Sequence, residues 1–135
     1  MSLTGGCACR AVRYEAEADP VLMLNCHCRD CQRATGSAYA ALVVVPKATV
    51  RVQGTVKQHE VVGGSGKLVW REFCPSCGNP VSIRLEKMPG IVALAASSLD
   101  DPSIHNPRAE VFTESAQPWD RMLEATEKHA RGIMK

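Results

Sequence analysis

Three cysteines stand within six residues in the stretch Cys26-His27-Cys28-Arg29-Asp30-Cys31. Two further pairs lie on either side of it, in Cys7-Ala8-Cys9 and in Cys74-Pro75-Ser76-Cys77. A closed structural zinc site takes four protein ligands, whereas a catalytic site takes three and leaves one position for water or substrate. The 7 cysteines divide into four and three, so the sequence predicts two zinc ions, one enclosed and one open.

The two outer pairs suit the enclosed site. Cys74 and Cys77 can converge on one ion from a tight turn, and Gly78 supplies the permissive backbone that the turn needs after its second ligand. Cys7 and Cys9 point to the same side of an extended segment, because alternate residues of a strand share a face. We therefore predict a four-sulfur site that joins two distant parts of the chain; buried apolar cysteines are the alternative.

The middle cluster differs because Cys26, Cys28 and Cys31 can wrap one ion from one side only. Three thiolates on zinc form an anionic unit with a labile fourth position, where an incoming thiol could bind and lose its proton. In an extended Cys26-His27-Cys28, the imidazole should point away from its neighbours. We expect His27 to lie behind the ligands or at the surface rather than on the metal.

Disulfides are the competing explanation for so many cysteines. They need an oxidising compartment and normally an even number of cysteines, and residues two or three apart rarely have the geometry for a good bridge. The stretch from Met1 to Gly6 has neither the basic nor the apolar region of a signal peptide. A redox Cys-x-x-Cys pair belongs at the start of a helix, whereas the residues after Cys77 favour a turn and then a strand. Metal binding is therefore the favoured interpretation.

Composition restricts the class of protein. With 135 residues, 45% of them hydrophobic, we expect one domain spanning residues 1–135. No apolar run is long enough to cross a membrane, so we expect a soluble, cytoplasmic protein. The oligomeric state is left open.

Charge argues against nucleic acid as a partner. Seven thiolates and two zinc ions lower the formal charge of +2 by three, which removes the apparent basicity. The few aromatic residues do not interleave with lysine or arginine, as they do in single-strand binders. Arg29 and Arg33 flank the middle cluster. They could reduce its negative charge or contact an anionic substrate; the alternative is that they only form part of the solvated surface.

The dominant hydrophobic period is two, which is typical of strands. Apolar and polar residues alternate over residues 12–17, 50–52, 81–86 and 110–113. Residues 38–45 form a continuous apolar run ended by Pro46, which fits a strand buried on both faces. The glycine-rich stretch 63–66 separates two β-prone runs and predicts a hairpin that leads directly into Cys74.

Two helices are predicted. A short one covers about residues 30–35 and ends at Gly36. A C-terminal one covers about residues 118–131, because Trp119, Met122, Leu123 and Thr126 recur at helical spacings before Gly132. The predicted fold is mainly β, a single domain of small antiparallel sheets stapled by zinc, with a short C-terminal helix.

The cysteine clusters and their neighbours carry a family resemblance. The chain resembles the glutathione-dependent formaldehyde-activating enzyme family, which also contains centromere protein V, from Gly5 to about Trp119 and in the family's order. The motifs are Gly6-Cys7-Ala8-Cys9 followed by Val12-Arg13-Tyr14, the stretch Cys26-His27-Cys28-Arg29-Asp30-Cys31-Gln32-Arg33-Ala34-Thr35-Gly36-Ser37, then Phe73-Cys74-Pro75-Ser76-Cys77-Gly78, Ser98-Leu99-Asp100-Asp101-Pro102 and Pro118-Trp119.

This resemblance implies a β-tent-like zinc fold and carbon–sulfur lyase chemistry, in which the bond between glutathione sulfur and an aldehyde-derived carbon is made or broken. It also implies a structural zinc on Cys7, Cys9, Cys74 and Cys77 and a catalytic zinc on Cys26, Cys28 and Cys31. Arg10 departs from the family, because many relatives have glycine there.

Three functional hypotheses follow. The first is a zinc-dependent lyase acting on an adduct of a small thiol, glutathione being the expected one. The second is a zinc-stapled binding module without catalysis, and the third is a redox switch whose thiols release zinc on oxidation. The candidates for a general base, chosen by residue type only, are Glu15, Asp30, Glu72 and His59. The alternative is that they are surface residues without a catalytic role.

Overall fold

The computed structural model describes residues 1–133. Within them the chain is mainly β, with one α-helix, α1 (Arg29–Thr35), and a few 3-10 turns. None of the helices in this range is long and apolar enough to span a membrane. The strands are β1 (Ser2–Gly6), β2 (Arg13–Glu17), β3 (Leu22–Cys26), β4 (Ala40–Pro46), β5 (Val50–Gln53), β6 (Lys57–Val62), β7 (Leu68–Phe73), β8 (Pro80–Leu85), β9 (Ile91–Ala95), β10 (Ala109–Val111) and β11 (Glu127–Lys128).

The described strands form two sheets. The smaller one is antiparallel, in the order β1-β2-β5. The larger one has eight strands, in the order β11-β10-β3-β4-β9-β8-β7-β6. Its strand β10 runs parallel to both β3 and β11, with Val111 opposite Cys26. The larger sheet therefore brings the C-terminal part of the chain beside the start of the middle cysteine cluster.

Strand β4 lies at the centre of the packing. Val43 and Val45 belong to an apolar cluster that also contains Cys7 and Cys74. The alternate residues of the same strand belong to a second apolar cluster, which contains Cys26 and Cys31. Both faces of β4 are thus buried, as its unbroken apolar sequence predicts, and each cysteine group borders one of the two clusters.

The mainly β class is confirmed, and so are several local predictions. The glycine-rich stretch joins β6 to β7 as a hairpin that ends next to Cys74. Helix α1 begins after Cys28, whose side chain accepts a hydrogen bond from the Cys31 amide, and ends at Gly36 in the left-handed region with φ 67°.

The predicted C-terminal helix is wrong. Residues 118–131 form turns and the short strand β11. Trp119 and Leu123, whose spacing predicted that helix, are 66% and 54% exposed. Thr126 is buried instead and donates its hydroxyl proton to Glu110 over 2.7 Å. A tertiary hydrogen bond and pairing with β10 thus override the helical period. The prediction of small antiparallel sheets also needs correction, because the larger sheet has eight strands and is mixed.

Arg10 occupies a backbone conformation that favours glycine. Its φ is 66°, in the left-handed region that glycine enters at no steric cost. It lies in the turn after Cys9, and its amide donates to the carbonyl of Cys7 over 3.1 Å. The conformation would suit the glycine that the family resemblance leads us to expect at this position.

Candidate metal centres

The first cysteine group joins two turns that are distant in sequence. Cys7 and Cys9 follow β1, and Cys74 and Cys77 lie in the turn between β7 and β8. All four sulfur atoms lie within 4.8 Å of one another. The Cys9 sulfur lies 3.6 Å from both the Cys7 and the Cys74 sulfur. Four donors from two chain segments thus face one point, as the spacing predicts.

The geometry of this group fits zinc and excludes a disulfide. With a Zn–S bond of about 2.3 Å, the sulfur atoms of a tetrahedral site are about 3.8 Å apart. A disulfide requires about 2.05 Å, and all seven cysteines are free. The backbone amide of Val12 donates to the Cys7 sulfur over 3.3 Å, and that of Ser76 to the Cys74 sulfur over 3.4 Å. Such donors stabilise thiolates, which are the form that binds metal.

The second group lies at the junction of β3 and α1. Cys26 ends the strand, Cys28 caps the helix and Cys31 lies in its first turn, so one short segment supplies all three sulfur atoms within 4.8 Å of one another. Cys26 and Cys31 are buried, whereas Cys28 is partly exposed. Within residues 1–133, no further histidine, cysteine, aspartate or glutamate joins the group. The arrangement could hold one ion and leave a coordination position open.

The surroundings of the second group favour ionisation of Cys28, its partly exposed thiol. Hydrogen bonds from Cys26 and Cys31 hold the pKa of Cys28 well below its usual range, and the charge of Arg71 acts in the same direction. Hydrogen bonding to Cys28 raises the pKa of Cys26 in turn. The Arg71 guanidinium donates to the Cys31 sulfur over 3.5 Å. The three sulfur atoms are thus coupled to one another by hydrogen bonds and lie beside a cation.

His27 lies behind the cysteines and not at the surface. It is fully buried, and its ring nitrogens face two carboxylates, Glu110 at 2.8 Å from Nε2 and Asp120 at 2.7 Å from Nδ1. These two carboxylates were not identified from the sequence. No local pattern marks them, because they lie 83 or more residues along the chain from His27.

A cavity of about 490 Å³ lies between α1 and the sheet strands β6 to β8, and its lining includes Arg71, which contacts Cys31 of the second group. Residues from both sides line it, including Ala34, Thr35, Lys57, His59 and Arg71. His59 and Arg71 are directly opposite in the β6–β7 pair, and Lys57 shares their face because it lies two residues from His59. The face that meets the middle cysteines is therefore basic.

Arg71 is a site residue that sequence reasoning missed. It lies inside a strand with no motif around it, and only the strand register places it opposite α1. The two arginines that the sequence analysis considered have other surroundings. Arg29 hydrogen-bonds Gln32 on its own helix, and Arg33 is exposed in the last turn.

The four candidates for a general base have different environments. Glu15 and Asp30 are exposed. Glu72 is buried, but its carboxylate already accepts hydrogen bonds from Ser82 and Arg84, each over 2.7 Å. His59 is exposed and lines the cavity. The structure therefore brings both His59 and Glu72 to the cavity, and the Glu72 carboxylate is the one already held in a hydrogen-bond network.

We expect protein purified without chelator to contain two zinc ions per chain, of which one is more labile. The three-cysteine group exposes Cys28 on one side, so a mild chelator should reach its ion first and leave the circular dichroism spectrum intact. Metal analysis after timed chelator treatment checks this, with the Cys28→Ser variant as a control that should hold one ion. A single ion in the untreated protein, or loss of both ions together with unfolding, would contradict the expectation.

Comparison with known proteins agrees with the cysteine pattern. The family model described as glutathione-dependent formaldehyde-activating enzyme matches residues 2–115. Among solved structures, a Rhodobacter sphaeroides protein determined by structural genomics is similar, with a TM-score of 0.59 and 24% sequence identity. The alignment covers 78% of this chain and 92% of that chain, and at this identity it supports the fold alone. Comparison with curated proteins finds no match.

Proposed function

This chain belongs to the glutathione-dependent formaldehyde-activating enzyme family, and on that premise we propose that it is a zinc-dependent carbon–sulfur lyase acting on an aldehyde adduct of glutathione or a similar small thiol. The observation that carries the proposal is the three-cysteine group, which takes three sulfur donors from one short segment and has no fourth histidine, cysteine or carboxylate donor within residues 1–133, so a tetrahedral ion there would keep one free position. A four-ligand structural site has no such free position.

A zinc ion bound at Cys26, Cys28 and Cys31 would supply a Lewis acid at which an incoming thiol is held as its thiolate. The reaction adds the thiol to the aldehyde carbonyl: a carbon–sulfur bond forms, and the thiol proton ends on the carbonyl oxygen. In the reverse reaction the carbon–sulfur bond breaks, the hydroxyl proton leaves the oxygen as the carbonyl re-forms, and the thiolate regains a proton when it is released. The three cysteines and Arg71 set the charge around the sulfur that gains or loses this bond.

The cavity supports the proposal by offering room for the rest of the thiol. Its volume of about 490 Å³ falls in the range of small-molecule sites. Lys57 and Arg71 give one wall a positive charge, which suits a thiol that carries carboxylates. The wall across from them includes Ala34 and Thr35 of α1, which places the cavity directly beside the helix that bears Cys31.

Cobalt substitution tests the proposed function. Thiolate-to-cobalt absorption depends on the number of sulfur ligands, so glutathione should change the bands of the three-cysteine group and leave those of the four-cysteine group unchanged. We expect millimolar glutathione to produce this change and to accompany faster formation or decay of an S-hydroxyalkyl glutathione. If the spectrum and the zinc content do not respond to glutathione, the lyase proposal fails and a zinc-stapled binding module is the better account.

The same titration tests the basic wall of the cavity. Arg71→Met should weaken the response to glutathione about tenfold, because a charge-assisted contact contributes on the order of 1.5 to 3 kcal/mol. Arg51→Met is the matched control, because Arg51 is an exposed arginine on the other sheet. Equal responses in the two variants would show that the positive charge of the cavity wall does not contribute to glutathione binding.

A further inference from the structure

His27 is completely buried between two carboxylates: it hydrogen-bonds Glu110 and lies in close contact with Asp120. Its side chain and that of Glu110 are 0% and 1% exposed, and that of Asp120 is 4% exposed. Nε2 lies 2.8 Å from Glu110 Oε1, and Nδ1 lies 2.7 Å from Asp120 Oδ2. Glu110 also accepts from Asn25 Nδ2 over 3.2 Å and from the Thr126 hydroxyl over 2.7 Å. The imidazole is the centre of a buried polar network.

The network connects two parts of the chain. His27 lies in the metal loop, residues 26–32, which contains all three cysteines of the second group. Asp120 and Thr126 lie in the C-terminal segment, residues 118–128, where the sequence predicts a helix that does not form. Glu110 on β10 stands between the two, since it contacts both His27 and Thr126.

The backbone of the metal loop is held from the same side. The His27 amide donates to the Val111 carbonyl over 2.9 Å. Its carbonyl accepts from Gln32 Nε2 over 2.7 Å, and the same amide group donates to the Ser115 carbonyl over 3.0 Å. Gln117 Nε2 in turn donates to Gln32 Oε1 over 3.1 Å. Two buried residues of the loop, His27 and Gln32, are therefore both attached to residues 110–126.

Stability alone does not explain this arrangement. Taking an imidazole and two carboxylates out of water is costly, and well-packed apolar side chains of the same volume are often as stable or more so. Polar partners impose one orientation, which apolar packing does not. His27 is the sequence neighbour of both Cys26 and Cys28. Holding the His27 side chain in one orientation therefore restricts the backbone from which both cysteine side chains project.

We propose that the C-terminal segment clamps the metal loop through His27, so that metal binding at Cys26, Cys28 and Cys31 and docking of residues 118–128 stabilise each other. His27, Asp120 and Glu110 are positioning residues; none of them is among the sulfur donors. The proposal requires metal at the three-cysteine group but not the lyase reaction. Because coupling between two sites is reciprocal, it can be measured from either end.

The first measurement is metal affinity. Asp120→Asn keeps the shape of the side chain and removes its charge, and we expect it to weaken cobalt binding at the three-cysteine group by about tenfold or more. The four-cysteine group in the same molecule should keep its affinity and its spectrum. Glu124→Gln is the matched control, because Glu124 is an exposed carboxylate of the same segment. Equal affinities in the two variants, or equal losses at both metal groups, would overturn the proposal.

The second measurement uses the unmodified protein and does not depend on a variant folding. Amide hydrogen exchange should quicken at Glu127 and His129, whose amides donate to Arg108 and Glu110, when a mild chelator removes the labile ion. The amides of β2, in the other sheet, should keep their protection. Exchange in residues 118–128 that is insensitive to the labile ion would overturn the coupling. If the coupling holds while glutathione leaves the cobalt bands unchanged, only the lyase proposal fails.

Discussion

Cys77→Ser is expected to lower the melting temperature far more than Cys28→Ser does. Structural zinc contributes about 10 to 16 kcal/mol of apparent binding free energy in small domains, against a net stability of about 5 to 15 kcal/mol for a typical fold. Cys77 shares its group with Cys7 and Cys74, which lie in the main apolar cluster, and backbone donors at Asn79 and Cys9 lower the pKa of Cys77 to about 6. Its loss should release both turns that the group joins.

Replacing Cys28 should reduce the stability of the fold less than replacing Cys77. Its sulfur caps α1 by accepting from the Cys31 amide over 3.3 Å, and serine is itself a favoured residue at the N-cap. Thermal unfolding of the two variants in the same zinc-containing buffer makes the comparison. We expect a loss of more than about 10 °C for Cys77→Ser, or failure to fold, and a few degrees for Cys28→Ser. Equal losses, or the reverse order, would contradict the assignment of the closed site.

Cys28→Ser is expected to abolish turnover of the glutathione adduct while the fold remains. Cys28 is the partly exposed member of its group and the thiol most inclined to ionise, so a neutral hydroxyl there removes both a sulfur donor and the negative charge. The loss should be complete within the sensitivity of the assay and should not be recovered by raising glutathione.

Two controls accompany this variant. Its circular dichroism spectrum and the cobalt bands of the four-cysteine group should match those of the unmodified protein, which shows that the effect is local. Arg51→Met, on the other sheet, should keep its turnover. A Cys28→Ser protein that retains turnover would mean that the reaction, if any, takes place elsewhere.

Much of the candidate site was predictable because it is local in sequence. Cys26, Cys28 and Cys31 lie within six residues, and the turn of Cys74 and Cys77 is set by its own spacing. The grouping of Cys7 and Cys9 with Cys74 and Cys77 followed from counting ligands, since the pairs cannot close a tetrahedral site separately. Strand period and glycine-rich turns predicted β2, β4 and the β6–β7 hairpin for the same local reason.

The surroundings of the metal loop could not be predicted in this way. Arg71 meets Cys31 only because the register of β7 against β8 places it on the face towards α1. Asp120 meets His27 only because the segment after β10 returns to pair with it in parallel through β11. Neither contact produces a periodic pattern in the sequence, because each joins two single residues that are distant in the chain.

The C-terminal segment shows most clearly where local pattern and tertiary structure diverge. The sequence by itself determined the two cysteine groups and the β class, because ligand spacing and a period of two act over a few residues. Only the tertiary structure decided that residues 118–131 are not helical. Thr126 donates to the buried Glu110 carboxylate over 2.7 Å and β11 pairs with β10, whereas Trp119 and Leu123, whose spacing predicted the helix, are exposed.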